Sequence, residues 1–152
     1  MGLEIGPLHV RRSVLIDASP VQVWRHFDNE DAIHGWLDQG HVIHSFVPEV
    51  GATTQLSVVI DGVQRHFGGD VLVVEPGREL SMESQWEEPD HAWAVPTYWT
   101  FRLSAHYAGT LVELFHHGFE RLGADAADQL ADYESGWGMV HLLRLRELAE
   151  SH

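Results

Sequence analysis

The sequence predicts an α+β fold, a strongly curved antiparallel sheet of about seven strands in the order β-α-α-β6-α, wrapped around a long C-terminal helix. Three observations predict it. From about Gly40 to Gly118 the apolar residues recur with period two, and turn signals cut this region into six strands. One further strand and two short helical stretches come before it. Last, Asp125 to Glu150 contains no proline and carries Leu130, Tyr133, Trp137 and Val140 at the spacing of one helix face. At 1.5 Å per residue that stretch would make a rod of roughly 39 Å. The sheet has one apolar face to bury, and this helix is the only element large enough to cover it.

The elements follow in order. His9 to Ile16 is rich in β-branched and aliphatic residues and reads as a strand. Ser19 suits an N-cap and Pro20 the first helical position, so a helix is expected over Pro20 to Phe27, with Val23, Trp24 and Phe27 on one side. Asp28-Asn29 ends it, and a second short helix, Glu30 to Leu37, carries Ile33, Trp36 and Leu37. Strands are expected near 41–47, 53–60, 64–74, 79–86, 97–105 and 110–117. Asp61-Gly62 between two of them is a strong hairpin signal. Short links between consecutive strands imply antiparallel pairing. Gly68-Gly69 suggests a bulge or bend, and Glu87 to Pro96, with His91 and Trp93, reads as a loop. The C-terminal helix has acids at its start (Asp125, Asp128) and Arg144 and Arg146 near its end, as the helix dipole favours.

Composition bounds the function. With 152 residues, 44% of them hydrophobic, the expectation is a single domain (1–152, core about 9–150) with a proper core. There is no cysteine, which removes disulfides, thiolate metal sites and a cysteine nucleophile. All 9 basic residues are arginine, and 23 acids bring the formal charge to −14. That balance repels phosphate backbones and anionic membranes, so nucleic acid and membrane partners are not expected. No apolar run approaches a membrane span of roughly 18 residues, and no signal peptide is read at the N-terminus. A cytoplasmic protein is the simple expectation. The 12 histidines should make the charge shift between pH 7 and 5. His41 with His44, or His66 with His116, would offer two metal ligands each. A zinc site needs three or four, so no metal is expected. No dinucleotide, phosphate-loop or nucleophile-elbow motif is present, and no cofactor is expected.

A set of residues along nearly the whole chain resembles a known family. Ile16-Asp17-Ala18-Ser19-Pro20 with Val23 and Trp24 is followed by Trp36, then Phe67-Gly68-Gly69-Asp70-Val71, Val74-Glu75-Pro76, Arg78-Glu79-Leu80 and Trp86. Gly109-Thr110-Leu111-Val112, His116-His117-Gly118-Phe119, Tyr133 and Gly136-Trp137 complete the set. In this order and spacing it resembles the START-like (SRPBCC, Bet v 1-like) superfamily, in the branch of the activator of the heat-shock-protein-90 ATPase. The resemblance implies a helix-grip fold with an apolar cavity between the sheet and the last helix. Such proteins bind lipids, hormones and polyketides, some cyclise polyketides, some confer enediyne resistance, and one branch is a co-chaperone.

The expected function is therefore binding of an apolar or aromatic small molecule in that cavity. The cavity residues would be Trp36, Phe67, Trp86, Trp99, Phe101, Leu114, His116, Tyr133, Gly136, Trp137 and Val140. The alternatives are a cyclase-like or hydrolase-like enzyme using the same cavity, and a chaperone-regulating or antibiotic-sequestering interaction protein. A monomer or homodimer fits either. Two readings of His116 stay open: a polar anchor or general base in the cavity, and a satisfied core histidine bonded to backbone or Tyr133. If Val112, Leu114 and His116 point inward, His117 faces solvent. The aromatic positions suit a pocket and an ordinary core alike. Gly136 and Gly138, each costing about 1 kcal/mol in a helix interior, mark a close approach to sheet or ligand, a kink, or mere tolerance.

Overall fold

The computed structural model describes residues 2–87, 95–134 and 137–151. Its seven strands are β1 (His9–Ile16), β2 (Val42–Ser45), β3 (Thr53–Ile60), β4 (Val63–Glu75), β5 (Glu79–Trp86), β6 (Thr97–His106) and β7 (Gly109–His117). They form one antiparallel sheet in the order β1-β7-β6-β5-β4-β3-β2. The first strand thus closes beside the last, and β1 and β2 are the edges. Helices α1 (Pro20–Trp24) and α2 (Glu30–Leu37) lie between β1 and β2 in sequence. A short 3-10 stretch (Phe119–Asp125) leads into α3 (Ala126–Glu134) and α4 (Met139–Glu150). The loop at 88–94, with His91 and Trp93, lies outside the described residues.

Local chemistry explains the element starts. Ser19 Oγ accepts from the Gln22 amide while Gln22 Oε1 accepts from the Ser19 amide, a reciprocal cap with Pro20 in the first turn. Asn29 Oδ1 accepts from the Ala32 amide at 2.8 Å and starts α2. Helix α1 ends at Trp24 rather than Phe27, yet Phe27 is fully buried, stacked on Trp24 at 5.2 Å. The bend in β4 keeps phase: Phe67 and Val71 are both core residues, and the register shift falls between Val71 and Val73. Gly68 has φ +140°, and a Cβ there would lie 2.1 Å from the Thr54 carbonyl oxygen, so only glycine allows β3 so near.

Two expectations are corrected. The C-terminal segment is not one continuous helix. Gly138, at φ +96° and ψ −32°, separates α3 from α4. The break resets the helical phase, so the buried face of α4 is His141, Leu142, Leu145 and Ala149, and Val140 is 53% exposed instead of facing the sheet. The kink was one of the readings the flanking glycines allowed. Gly136 lies outside the described residues. Helix α4 packs on β1 and α2, where a Cβ on Gly35 would meet Leu148 at 3.1 Å.

The second correction concerns His117, which is buried at 1% exposure. The outer face of the sheet is covered at this point by the segment before β1. The Leu3 amide donates to Glu79 Oε2 at 2.9 Å, Arg102 donates to the Leu3 carbonyl and to Glu79 Oε1, and the Leu8 amide donates to Glu120. Beneath it, Ser81 Oγ donates to Glu79 at 2.7 Å, and Thr100 Oγ1 bridges Ser81 and His117 Nε2 at 3.0 and 2.8 Å. Strand alternation is intact, with Tyr98, Thr100 and Arg102 outward. What alternation does not reveal is that part of the outward face is roofed.

Candidate functional site

The chemistry-bearing end of the fold forms where β6 and β7 pair Trp99 with His116, both on the inner face. Thr97 fixes the state of His116. Its Oγ1 donates to the Ser84 carbonyl at 3.0 Å and lies 2.7 Å from His116 Nε2. Since that hydroxyl proton is committed to Ser84, His116 Nε2 must carry the donated hydrogen. Nδ1 is then a bare lone pair. It is buried and has no hydrogen-bond partner among the described residues. Burial, helped by His117 nearby, holds the His116 pKa well below the usual histidine value, so the ring is neutral.

Around His116 the rings interlock. Phe119, Tyr133 and Trp137 lie at 4.6, 4.5 and 5.0 Å between centroids, and Trp99 at 6.1 Å. Trp99 in turn meets Trp137 at 5.1 Å and Phe67 at 5.9 Å, and Phe67 meets Trp86 at 4.8 Å, its direct cross-strand partner. Trp86 Nε1 donates to the Tyr133 hydroxyl at 3.2 Å, joining sheet to helix, and burial raises the Tyr133 pKa to about 12. His41 and His141 close the cluster, 5.1 Å apart. His41 touches Phe67 and Trp99, and His141 touches Trp137. Burial first, then His141, lowers the His41 pKa to about 4, and burial lowers that of His141.

Four buried polar atoms in this cluster have no partner among the described residues: His41 Nε2, Trp99 Nε1, His116 Nδ1 and His141 Nδ1. Cores as a rule satisfy such atoms. Two other orphaned side-chain atoms, on Thr54 and Arg65, belong to β3 and β4.

Apart from Val140, which is exposed, and Gly136, outside the described residues, the expected cavity residues divide between the ring cluster and the core. Phe67, Trp86, Trp99, His116, Tyr133 and Trp137 belong to this ring cluster. Trp36 and Phe101 instead pack on each other and on Phe27 in solid core, with Trp36 Nε1 donating to the His26 carbonyl at 2.7 Å. Leu114 is fully buried beneath Gly138. At His116 one nitrogen is satisfied, by Thr97 rather than backbone or Tyr133, and the other has no hydrogen-bond partner among the described residues. Among the described residues, histidine rings meet at His41–His141 and at His44–His66, neither of them a pair the sequence suggested. Among the described residues no group of three or more His, Asp or Glu is placed to hold a metal.

The contributions of Phe119, Thr97 and His141 were missed in the sequence. Trp137 and His141 are four apart, but the break at Gly138 lies between them, so their contact is set by packing and not by helical spacing. Three clefts touch the described residues, and the second of them reaches Trp86 of the cluster. They are beside Glu79 and Arg102 (about 380 Å³), beside Gly68 and Gln85 (about 460 Å³), and beside Leu15 and Tyr107 (about 340 Å³).

The sequence profile described as Activator of Hsp90 ATPase homolog 1-like protein matches residues 17–150. The chain belongs to this family. The family's fold is also what solved structures share with it. A Chromobacterium violaceum protein superposes with a TM-score of 0.70 at 20% identity, covering 97% of this chain and 100% of the other. The Aha1 dimer from Colwellia psychrerythraea, solved in solution, gives 0.62 at 19% identity, covering 93% and 96%. DynU16, a protein of the dynemicin biosynthetic locus, gives 0.65 at 18% identity over 96% of this chain and 48% of the other. At these identities the likeness is one of fold. Comparison with curated proteins gives no match. Within the family fold, the cluster described above sits between sheet and C-terminal helices, next to the break at Gly138. Among the described residues no helix is long and apolar enough to cross a membrane.

Proposed function

We propose that the protein binds an apolar or aromatic small molecule between the curved sheet and the C-terminal helices, against the ring cluster of Phe67, Trp99, His116 and Trp137. The observation that carries this reading is the four orphaned ring nitrogens in one aromatic cluster. Burying a polar atom without a partner costs about 1–3 kcal/mol, and a ligand that supplied partners would recover part of that cost. The family's fold supports the same reading.

A catalytic version would have His116 take up a proton. Its burial, at 0% exposure, opposes the imidazolium form, and Nε2 is engaged by Thr97. His116 therefore suits hydrogen-bond acceptance better than acid/base work. For assembly we propose a monomer or homodimer, to be read by sedimentation.

The test is a titration of isotope-labelled protein with uncharged aromatic fragments, followed by NMR. Saturable shifts of the Trp99 and Trp137 indole N–H signals are expected. Shifts confined to the clefts beside Gly68 or Arg102 would sink the assignment.

A further inference from the structure

The lining of this cluster also constrains its occupant's chemistry. His116 offers Nδ1 as an acceptor, because the Thr97–Ser84 relay leaves the hydrogen on Nε2. His41 Nε2 and His141 Nδ1 are likewise buried without a hydrogen-bond partner among the described residues. Each of these two nitrogens is a donor or an acceptor according to which side of its ring carries the hydrogen. Trp99 Nε1 is donor only. The cluster thus presents an orphaned acceptor at His116 Nδ1 and an orphaned donor at Trp99 Nε1, with two further imidazole nitrogens nearby.

The ring partners around His116 are Trp99, Phe119, Tyr133 and Trp137, and no arginine or carboxylate is among them. A charged group placed against these uncharged rings bears most of its desolvation cost, and the carboxylate that acts on the cluster, Asp38 near His41, opposes an anion.

We propose that the occupant is an uncharged aromatic molecule carrying O–H or N–H donors, one of which donates to His116 Nδ1. This rests on the small-molecule reading above and refines it. A phenolic hydroxyl on a flat ring meets both demands: its face packs on Trp99 and Trp137, and its hydrogen finds a buried lone pair. A ligand with only acceptors would leave the His116 Nδ1 lone pair as it is.

Four matched probes test it on the intact chain: naphthalene, naphthol, naphthol methyl ether and naphthoate. Naphthol is expected to bind about fivefold to tenfold more tightly than its ether, the increment of one net hydrogen bond, and naphthoate more weakly than naphthalene. In His116→Leu the naphthol advantage is expected to vanish while naphthalene still binds. Because that variant alters the core, nitrogen NMR of the wild-type His116 ring provides a second readout. Hydrogen is expected on Nε2, and the Nδ1 signal should move upfield on adding naphthol. Equal affinity of naphthol and its ether, preference for naphthoate, or hydrogen on Nδ1 in the free protein would each overturn the proposal. If naphthalene and naphthol alike leave the Trp99 and Trp137 indoles unmoved, the small-molecule reading itself fails. If naphthalene binds there without a naphthol advantage, only the refinement fails.

Discussion

Replacing Gly138 by alanine tests the break between α3 and α4, and the sign of the result is diagnostic. Gly138 is buried at φ +96°, ψ −32°, a conformation that residues with a Cβ adopt only under strain. Holding alanine there costs about 1–3 kcal/mol. The added Cβ also meets Leu114 Cδ2 at 3.1 Å and Arg12 Cγ at 3.4 Å, side-chain atoms that can give way. Against this, alanine lowers the entropy of the unfolded chain by about 0.4–1 kcal/mol. The net expectation is a loss of about 1–2 kcal/mol. At about 2–4 °C per kcal/mol for a domain of this size, Tm should fall by about 2–8 °C. In a continuous helix the same substitution would remove a glycine penalty of about 1 kcal/mol and raise Tm. Calorimetry and urea unfolding of Gly138→Ala against wild type read the difference. A stabilised variant would refute the break and restore the single rod.

Two further predictions concern charge. His41, His116, His117 and His141 are held neutral, with folded pKa values below the unfolded 6.5, at about 4 for His41 and His117. Below pH 6.5 the unfolded chain binds more protons, so stability is full above that pH and is lost as pH falls from 6.5 toward 4. For His117 alone the loss at pH 5 is about 2 kcal/mol, and an unchanged urea midpoint between pH 7 and 5 would count against this burial. On the outer face, Arg102→Leu leaves the Glu79 carboxylate, at 4% exposure, without its guanidinium. Because Arg102 is itself a third exposed, the expected loss is about 2 kcal/mol, less than for a fully buried pair. The Leu3 amide should exchange faster with solvent, and unaltered protection of Leu3 would show that the pair does not anchor this segment.

Much of the architecture was legible without coordinates because it rests on local rules. Strands β1, β3 and β5 and helix α2 run between the residues that periodicity and caps assign to them. Ser19 with Gln22 and Asn29 with Ala32 form the caps their sequence allows. The inward faces of β6 and β7 follow from alternation, which puts Trp99 and His116 on one face of the sheet. Family membership follows from ordered motifs along the chain.

What tertiary structure decided involves residues remote in sequence. His41 meets His141 only because α4 folds back beside the end of α2. His117 is buried because residues before β1 cross the outer face, and alternation states which way a side chain points, not what covers it. The three- and four-residue spacing from Leu130 to Val140 suits an unbroken helix. The backbone at Gly138 takes another course, and the phase on either side of it is set by packing on β1 and α2. Periodicity along a chain describes one element at a time, whereas burial and pairing are properties of surfaces that meet.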